Sequence, residues 1–211
     1  MSKFYLPVCA LTMTFALMAA PTRAGVLVSN LFTGTGSGSG NPTMAMSFTT
    51  DSSDYTLDDV VVPLGAVIIG GSADVRGEIF SDLAGLPDTK VANGNLSTHT
   101  IAGFLLQQKT YTPTEGPISL LANTTYWMVL RTISQTVPSG SMVWEDAGNA
   151  SDVSAAGHLW SIGDQRAFFD GAVWANSASI HTLQVSATEV PEPATIAMLS
   201  LGLVTLTRRW R

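Results

Sequence analysis

The stretch that decides the fold is TTYWMVLRTI, residues Thr124–Ile133, a run rich in aromatic, aliphatic and β-branched residues. Such residues favour extended strands, in which successive side chains point to opposite faces. Here both alternating sets are apolar. The sets are Tyr126, Met128, Leu130 and Trp127, Val129, Ile133. The pattern predicts a strand that runs through the middle of a sheet, with Arg131 near its end reaching solvent through its long stem.

Shorter runs of the same composition flank this strand on both sides, and clusters of Gly, Asn, Asp, Ser and Pro separate them. The runs are Met44–Thr50, Tyr55–Val62, Ala73–Phe80, Ser141–Trp144, His158–Ile162, Ala167–Trp174 and Ile180–Ala187. No interior window keeps a helical period of 3.6 residues for three turns. The spacing predicts an all-β domain, either a sandwich or a barrel.

Turn chemistry punctuates these runs. Asn93-Gly94 and Asp170-Gly171 are dipeptides that favour tight turns, and the second lies between two short apolar runs, which makes it the strongest hairpin signal in the chain. The segment Gly34–Gly40 contains only Gly, Ser and Thr, and it predicts a loop or flexible lead-in. Its spacing does not fit the Gly-x-Gly-x-x-Gly pattern of a dinucleotide site.

The C-terminus has three parts in a fixed order. Pro191, Glu192 and Pro193 form a rigid break, residues 194–207 form an uncharged apolar run, and a basic end follows. The basic residues of that end are Arg208, Arg209 and Arg211. As a helix, the run would cover about 21 Å at ~1.5 Å per residue, which is short of a hydrocarbon core of ~30 Å. The pattern predicts a short hydrophobic helix that acts as a temporary membrane anchor.

The block VPEPATIAMLSLGLVTLTRRWR, from Val190 to Arg211, resembles the PEP-CTERM protein-sorting signal of Gram-negative bacteria. The resemblance implies processing by an exosortase-type transpeptidase at or near Pro191 to Pro193. It also implies export through the secretion machinery, with transient residence in the inner membrane and delivery to the cell surface or extracellular matrix. An ordinary C-terminal transmembrane helix is the alternative. A GPI signal fits less well, because its tail would end apolar.

The N-terminus predicts a secretory signal peptide over residues 1–24. Lys3 supplies the positive start, Leu6–Met18 the apolar core, and Ala24 the small residue before a cut at Gly25. The domain plan is therefore a signal peptide (1–24), a β-sandwich domain (25–189) and a sorting signal (190–211). The chain's one cysteine, Cys9, lies in the removed segment, so disulfides and thiolate chemistry are excluded from the delivered domain.

Between the two terminal signals the chain carries five basic and fifteen acidic residues. Phosphate backbones need clustered lysine and arginine, so nucleic acid is not an expected partner.

A second resemblance involves the central strands. The segments SFTTDSSDYTLDDVVVPL, EIFSDLAGLPDTKV and LLANTTYWMVL, followed by Met142-Val143-Trp144, look like the choice-of-anchor R domain of bacterial surface proteins. This resemblance covers about Leu31 to Trp144 and implies an antiparallel β-sandwich of jelly-roll type. It carries no catalytic residues over to this chain.

Catalytic patterns are weak. His99, His158 and His181 have no metal-ligand spacing, and a Gly-x-Ser-x-Gly elbow is absent. Glu145 and Asp146 would point to opposite faces of a continuing strand, whereas glycoside hydrolysis needs two carboxylates in one cleft. We therefore expect no catalytic residues, and no cofactor or metal site that the pattern specifies.

Two features suggest ligands. The dense aspartates Asp51, Asp54, Asp58 and Asp59 suggest calcium, although turn-forming aspartates are more common. Trp160 and Trp174 lie beside glycine and polar loops, where an exposed indole could stack on a sugar ring. Trp127 and Trp144 are expected to be core residues.

The leading hypothesis from the sequence is an exported, non-enzymatic surface or matrix protein that serves attachment or biofilm structure. A carbohydrate-binding module that recognises extracellular polysaccharide is the first alternative. A secreted polysaccharide hydrolase is the second.

Overall fold

The computed structural model describes residues 25–190 except 41, 68–70, 104, 137–140, 148–152, 155–157 and 178–179. The predicted signal peptide and C-terminal hydrophobic helix lie outside the described residues. Within the described part, no helix has the length and apolar character needed to cross a membrane.

The described residues form fourteen strands and one short 3-10 turn at Leu31–Thr33. The strands are β1 (Gly25–Ser29), β2 (Gly34–Gly40), β3 (Thr43–Thr49), β4 (Tyr55–Val67), β5 (Ser72–Leu83), β6 (Leu86–Ala102), β7 (Gln107–Tyr111), β8 (Ile118–Leu120), β9 (Thr125–Gln135), β10 (Ser141–Ala147), β11 (Val153–Ser154), β12 (Ser161–Phe169), β13 (Trp174–Ser177) and β14 (Gln184–Glu189). They make two antiparallel sheets, and the all-β prediction is confirmed.

The first sheet has eight strands, and β4 is its longest central member. The strand order is β11-β1-β14-β4-β10-β2. One edge of β4 pairs with β14 and then β10, while the other edge pairs with β8 and then β7. Because β1 pairs with β14 with Gly25 opposite Ala187, the first and last strands lie side by side.

The second sheet has six strands in the order β13-β12-β3-β9-β5-β6. The strand β9 lies between β3 and β5, as its apolar pattern predicts. One face of β9 packs into the main core, which also contains side chains from the first sheet such as Val60 and Trp144. The other face contributes Trp127 and Val129 to a smaller cluster with Ala45 and Ala167. The edge strands β6 and β13 have Cα atoms within 8 Å of each other, so this sheet curves around the smaller cluster.

The prediction of a loop at Gly34–Gly40 was wrong. The segment is strand β2, an edge strand paired with β10. A side chain at Gly38 would collide with the backbone carbonyl oxygen of Trp144, and one at Gly34 would collide with the carboxylate of Glu145. The glycines therefore permit a close approach to β10, a role that composition alone does not reveal.

Asn93-Gly94 also differs from its prediction as a turn between strands. It lies inside β6, where the register with β5 shifts between Phe80 and Glu78, and Asn93 has φ 57°. The turn of the β5–β6 hairpin is Ala84-Gly85, with φ values of 53° and 80°. Some β-bulges and the type I′ hairpin turn both place a residue at positive φ, which Asn and Gly adopt readily, so the same dipeptide suits either.

The hairpin at Asp170-Gly171 is confirmed. Phe169 pairs with Trp174, and the Asp170 carboxylate accepts hydrogen bonds from the backbone N–H groups of Ala172 and Val173, both at 2.9 Å. These bonds hold the pKa of Asp170 below its usual value. The strand predicted at His158–Ile162 begins later, at Ser161.

Candidate functional site

The candidate site is the end of the domain where the chain leaves the first sheet. The last strand, β14, ends at Glu189, which pairs with Tyr55 at the start of β4. The next residue, Val190, donates its backbone N–H to the carbonyl oxygen of Asp54 at 2.8 Å. The predicted sorting residues follow directly: Pro191, Glu192, Pro193, Arg208, Arg209 and Arg211, all outside the described residues.

The predicted signal cleavage lies at the same end of the domain. Gly25 is the first residue of β1, and Ala24 before it lies outside the described residues. Because Gly25 pairs with Ala187, the two positions at which the predicted signals join the domain are neighbours in one sheet.

Three exposed aliphatic side chains surround this exit, and we call Leu121, Leu159 and Val190 the exit patch. Their exposed fractions are 58%, 86% and 46%. The loop at residues 51–54 holds them together, since Leu159 donates its N–H to the Asp51 carboxylate at 3.4 Å and Val190 bonds to Asp54. On the Leu121 side, Thr50 donates to the carbonyl oxygen of Leu121 at 2.6 Å.

The first aspartate of this loop, Asp51, accepts hydrogen bonds from several groups around the exit. Its carboxylate accepts hydrogen bonds from the Tyr55 hydroxyl at 2.9 and 3.0 Å and from the Ser53 N–H at 3.0 Å. The His158 Nδ1 atom lies 3.2 Å from the same carboxylate. Burial alone would raise the pKa of Asp51, but these hydrogen bonds outweigh it and lower that pKa. Burial and the bond to Asp51 raise the pKa of Tyr55 to about 12.

Two of the other three aspartates of the suggested calcium cluster have hydrogen-bond partners, whereas the buried Oδ1 atom of the third, Asp59, has none in the described part of the chain. Asp54 accepts from the Ala122 N–H at 2.8 Å, and Asp58 accepts from the Thr188 hydroxyl at 2.8 Å. In the part of the chain that the structure describes, no group of three or more His, Cys, Asp or Glu residues is arranged to hold a metal ion. Such contacts are common for aspartate in turns and strand flanks, and calcium at this cluster stays a prediction.

The two tryptophans suggested for sugar stacking lie in different surroundings. Trp160 is only 2% exposed and stacks on Phe48 with ring centroids 5.9 Å apart, so its indole has no free face for a sugar. The prediction of an exposed Trp160 was wrong, because its side chain turns inward and packs against Tyr55. Trp174 is half-buried and packs against the smaller cluster, and its ring centroid lies 5.4 Å from that of Phe169.

The histidines occupy three separate places. His158 lies against the Asp51 carboxylate of the loop at residues 51–54. The ring of His99 contacts the ring of Tyr111 edge-on, with centroids 4.7 Å apart. His181 is fully buried, stacks on Trp144 with centroids 4.7 Å apart, and places Nδ1 3.2 Å from Asp146. Burial lowers the pKa of His181, while Asp146 acts in the opposite direction.

Glu145 and Asp146, which the sequence predicts on opposite faces of a strand, contact different partners. Asp146 pairs with Arg166 at 3.0 Å, whereas the Glu145 carboxylate accepts from the Gly36 N–H at 2.9 Å. Each carboxylate is thus used in its own structural contact.

Sequence reasoning missed one ionic cluster, on the face of the second sheet that carries Trp127. Its centre is the Glu78 carboxylate, whose side chain is 4% exposed. Arg76 lies at 2.9 Å, Arg131 at 3.4 Å and Lys90 at 3.6 Å from it. Residues 76 and 78 follow the period of a strand, but the approach of Lys90 depends on the irregular register of β6, which the sequence does not specify.

Comparison with known families identifies the segment that follows β14. Residues 189–211 match the PEP-CTERM protein-sorting motif. The match confirms the predicted sorting signal and begins at the last residue of β14. A PEP-CTERM motif at this place indicates an exported protein that is processed by an exosortase after a transient membrane-associated step. No match was found among curated proteins or among solved structures. The family match does not extend into residues 31–144, so the likeness of that region to the choice-of-anchor R domain stays a prediction.

Proposed function

We propose that this chain is an exported, non-enzymatic surface or extracellular-matrix protein. The secretion machinery takes it across the inner membrane, the apolar run at 194–207 holds it there, and an exosortase-type transpeptidase releases it. The PEP-CTERM motif at residues 189–211 is the observation that carries this proposal. A signal peptide over residues 1–24, cut before Gly25, is part of it.

The position of the motif relative to the fold supports the proposal. Strand β14 ends at Glu189, and the Pro-Glu-Pro sequence begins two residues later. Cleavage at or near Pro191 to Pro193 would therefore leave all the described strands in place. A sorting tail must be removable without unfolding its cargo, and this arrangement meets that requirement.

The delivered domain is proposed to be structural, with the two sheets forming a sandwich of jelly-roll type as in choice-of-anchor domains. In favour of a non-enzymatic role, the candidate acid–base residues have structural partners: His181 stacks on Trp144, and Asp146 pairs with Arg166. The main core joins both sheets, which suits a rigid module for attachment or biofilm structure.

Mass spectrometry of the C-terminus tests the proposal. The protein is recovered from the cell surface and medium of a host with the processing enzyme, and from the membrane of a host without it. We expect the delivered protein to end near Pro193 and the retained protein to end at Arg211. A Glu192→Ala variant should be retained, whereas a Glu115→Ala variant, changed outside the motif, should be delivered. Delivered protein with Arg211 intact would refute the sorting role.

Glycan recognition is the second candidate, and the half-buried Trp174 beside Phe169 is the feature that favours it. Trp160 does not contribute, because it is buried. A glycan array probed with the delivered protein and its Trp174→Ala variant decides the matter. Binding that the substitution abolishes would support a carbohydrate-binding module, and an array without binding would remove it.

A further inference from the structure

The exit patch lies at an unusual place for exposed aliphatic side chains. Leu121, Leu159 and Val190 border the loop at residues 51–54, beside the point where the chain leaves β14. Leu83, at the turn of the β5–β6 hairpin, lies at the same end of the second sheet, because Ser81 pairs with Tyr126 at the start of β9. Clustered exposed apolar side chains mark a contact surface more often than scattered ones do.

Chain length limits how far this patch can be from a membrane. Three residues lie between Val190 and Ala194, the first residue of the apolar run, so the two are four Cα-to-Cα steps apart. A fully extended chain covers at most ~3.6 Å per residue, so Val190, the patch residue at the exit, lies within about 14 Å of the start of the run in any conformation. The headgroup layer on each side of a bilayer is roughly 5–8 Å thick. An anchored precursor must therefore hold this end of the domain against the lipid surface.

We propose that the exit patch is a membrane-contact surface, on which the folded domain rests against the lipid headgroup layer while its C-terminal run is anchored. This inference rests on the proposed function, since it needs an anchored stage. Side chains as exposed as Leu121 and Leu159 gain free energy when the interface removes them from water. Gly25 pairs with Ala187, so β1 begins at the same end of the first sheet at which β14 ends.

Charge defines the lipid that suits this surface. Asp54 and Glu189 are exposed beside the patch, and no lysine or arginine lies between residues 51 and 54. Anionic headgroups would be repelled, whereas a zwitterionic phosphatidylcholine surface would not. The contact is thus apolar and interfacial, without a basic patch.

The test uses the full chain reconstituted in phosphatidylcholine vesicles that carry a quencher at headgroup depth. With Cys9→Ser as the background, the chain has no other cysteine, so a single environment-sensitive dye can be placed at will. The reporters are Leu121→Cys and Leu159→Cys. The matched controls are Leu105→Cys and Val173→Cys, which are also exposed, at 79% and 60%. Leu105 lies near Ala66, at the other end of β4, because Gly103 bonds to Ala66.

We expect at least twofold stronger quenching at positions 121 and 159 than at 105 and 173, together with a blue shift only when vesicles are present. Equal quenching at all four positions, or a chain that does not float with the vesicles, would overturn the proposal. A blue shift without vesicles would also overturn it, because the chain's own apolar run would then cover the patch. Each failure is separable from failure of the sorting role, which the mass of the C-terminus reports independently.

Discussion

The stability of this domain should fall in mild acid because of one histidine. The His181 ring is fully buried between Trp144 and the Asp146–Arg166 ion pair, and in the described part of the chain its Nε2 atom has no hydrogen-bond partner. Burial lowers its pKa below the ordinary value of 6.5, so the folded state favours the neutral ring. The unfolded chain takes up a proton near pH 6.5, whereas the folded chain does so only at lower pH.

The sign and size of the effect follow from proton linkage. A depressed histidine pKa contributes stability that is fully present above pH 6.5 and is lost as the pH falls towards the folded pKa. One proton changes the free energy of unfolding by about 1.4 kcal/mol per pH unit at most. We therefore expect a loss of at most about 1.4 kcal/mol between pH 7.5 and 5.5, reached only if the folded ring stays neutral over that range. The groups that face the ring are Asp146, Arg166 and Glu145, and the nearby carboxylate reduces the loss to the extent that it stabilises the charged ring.

Urea unfolding at pH 7.5 and 5.5, followed by tryptophan fluorescence, measures this loss. The His181→Phe variant keeps a ring to stack on Trp144 but cannot take up a proton, so its stability should change much less between the two pH values. The His99→Phe variant, at a half-buried site on another strand, should retain the loss. If wild type and His181→Phe lose equal stability over this range, the buried ring is not the source and the reasoning fails.

Two further predictions concern the core and the glycine strand. Trp160→Ala should lower the free energy of unfolding by about 3–5 kcal/mol in a urea titration, because the ring is fully packed. Trp174→Ala should lower it clearly less, and equal losses would contradict the buried placement of Trp160. Gly38→Ala should lower the free energy of unfolding by about 1–3 kcal/mol in the same titration, since its Cβ would collide with the backbone of β10. Gly25→Ala has open space around its Cβ and should be near neutral. An unchanged stability of Gly38→Ala would argue against the pairing of β2 with β10.

Local pattern was sufficient to predict β9. Its two apolar faces require cover on both sides, and the structure supplies the main core on one side and the cluster around Trp127 and Val129 on the other. The Asp170-Gly171 hairpin was likewise predictable, because its turn residues and pairing strands are adjacent in the chain. In each case the determining interactions are encoded within about ten residues.

Features that depend on distant residues were not predictable in this way. Gly34–Gly40 has no side chains that favour a strand, and it becomes one only because β10 presents a backbone that glycine can approach closely. Trp160 was placed beside a polar loop by its neighbours in sequence, but its partners Phe48 and Tyr55 lie more than a hundred residues away in the chain. Register shifts in β6 decide that Lys90 reaches Glu78, and no local signal specifies them.

The candidate site combines both kinds of information. The sorting motif could be predicted from the sequence, because it is a linear pattern of adjacent residues. The surface beside the tail could not be predicted from the sequence, since Leu121 and Leu159 are far apart in the chain. They are held at the same end of the domain by separate hydrogen bonds to Thr50 and Asp51. Only residues 190–193 lie between the end of β14 and the apolar run that is predicted to be the anchor. If the proposed cleavage at the Pro-Glu-Pro sequence is correct, the processing enzyme works within a few residues of Val190, and substitutions in the exit patch should then affect processing even though they leave the motif unchanged.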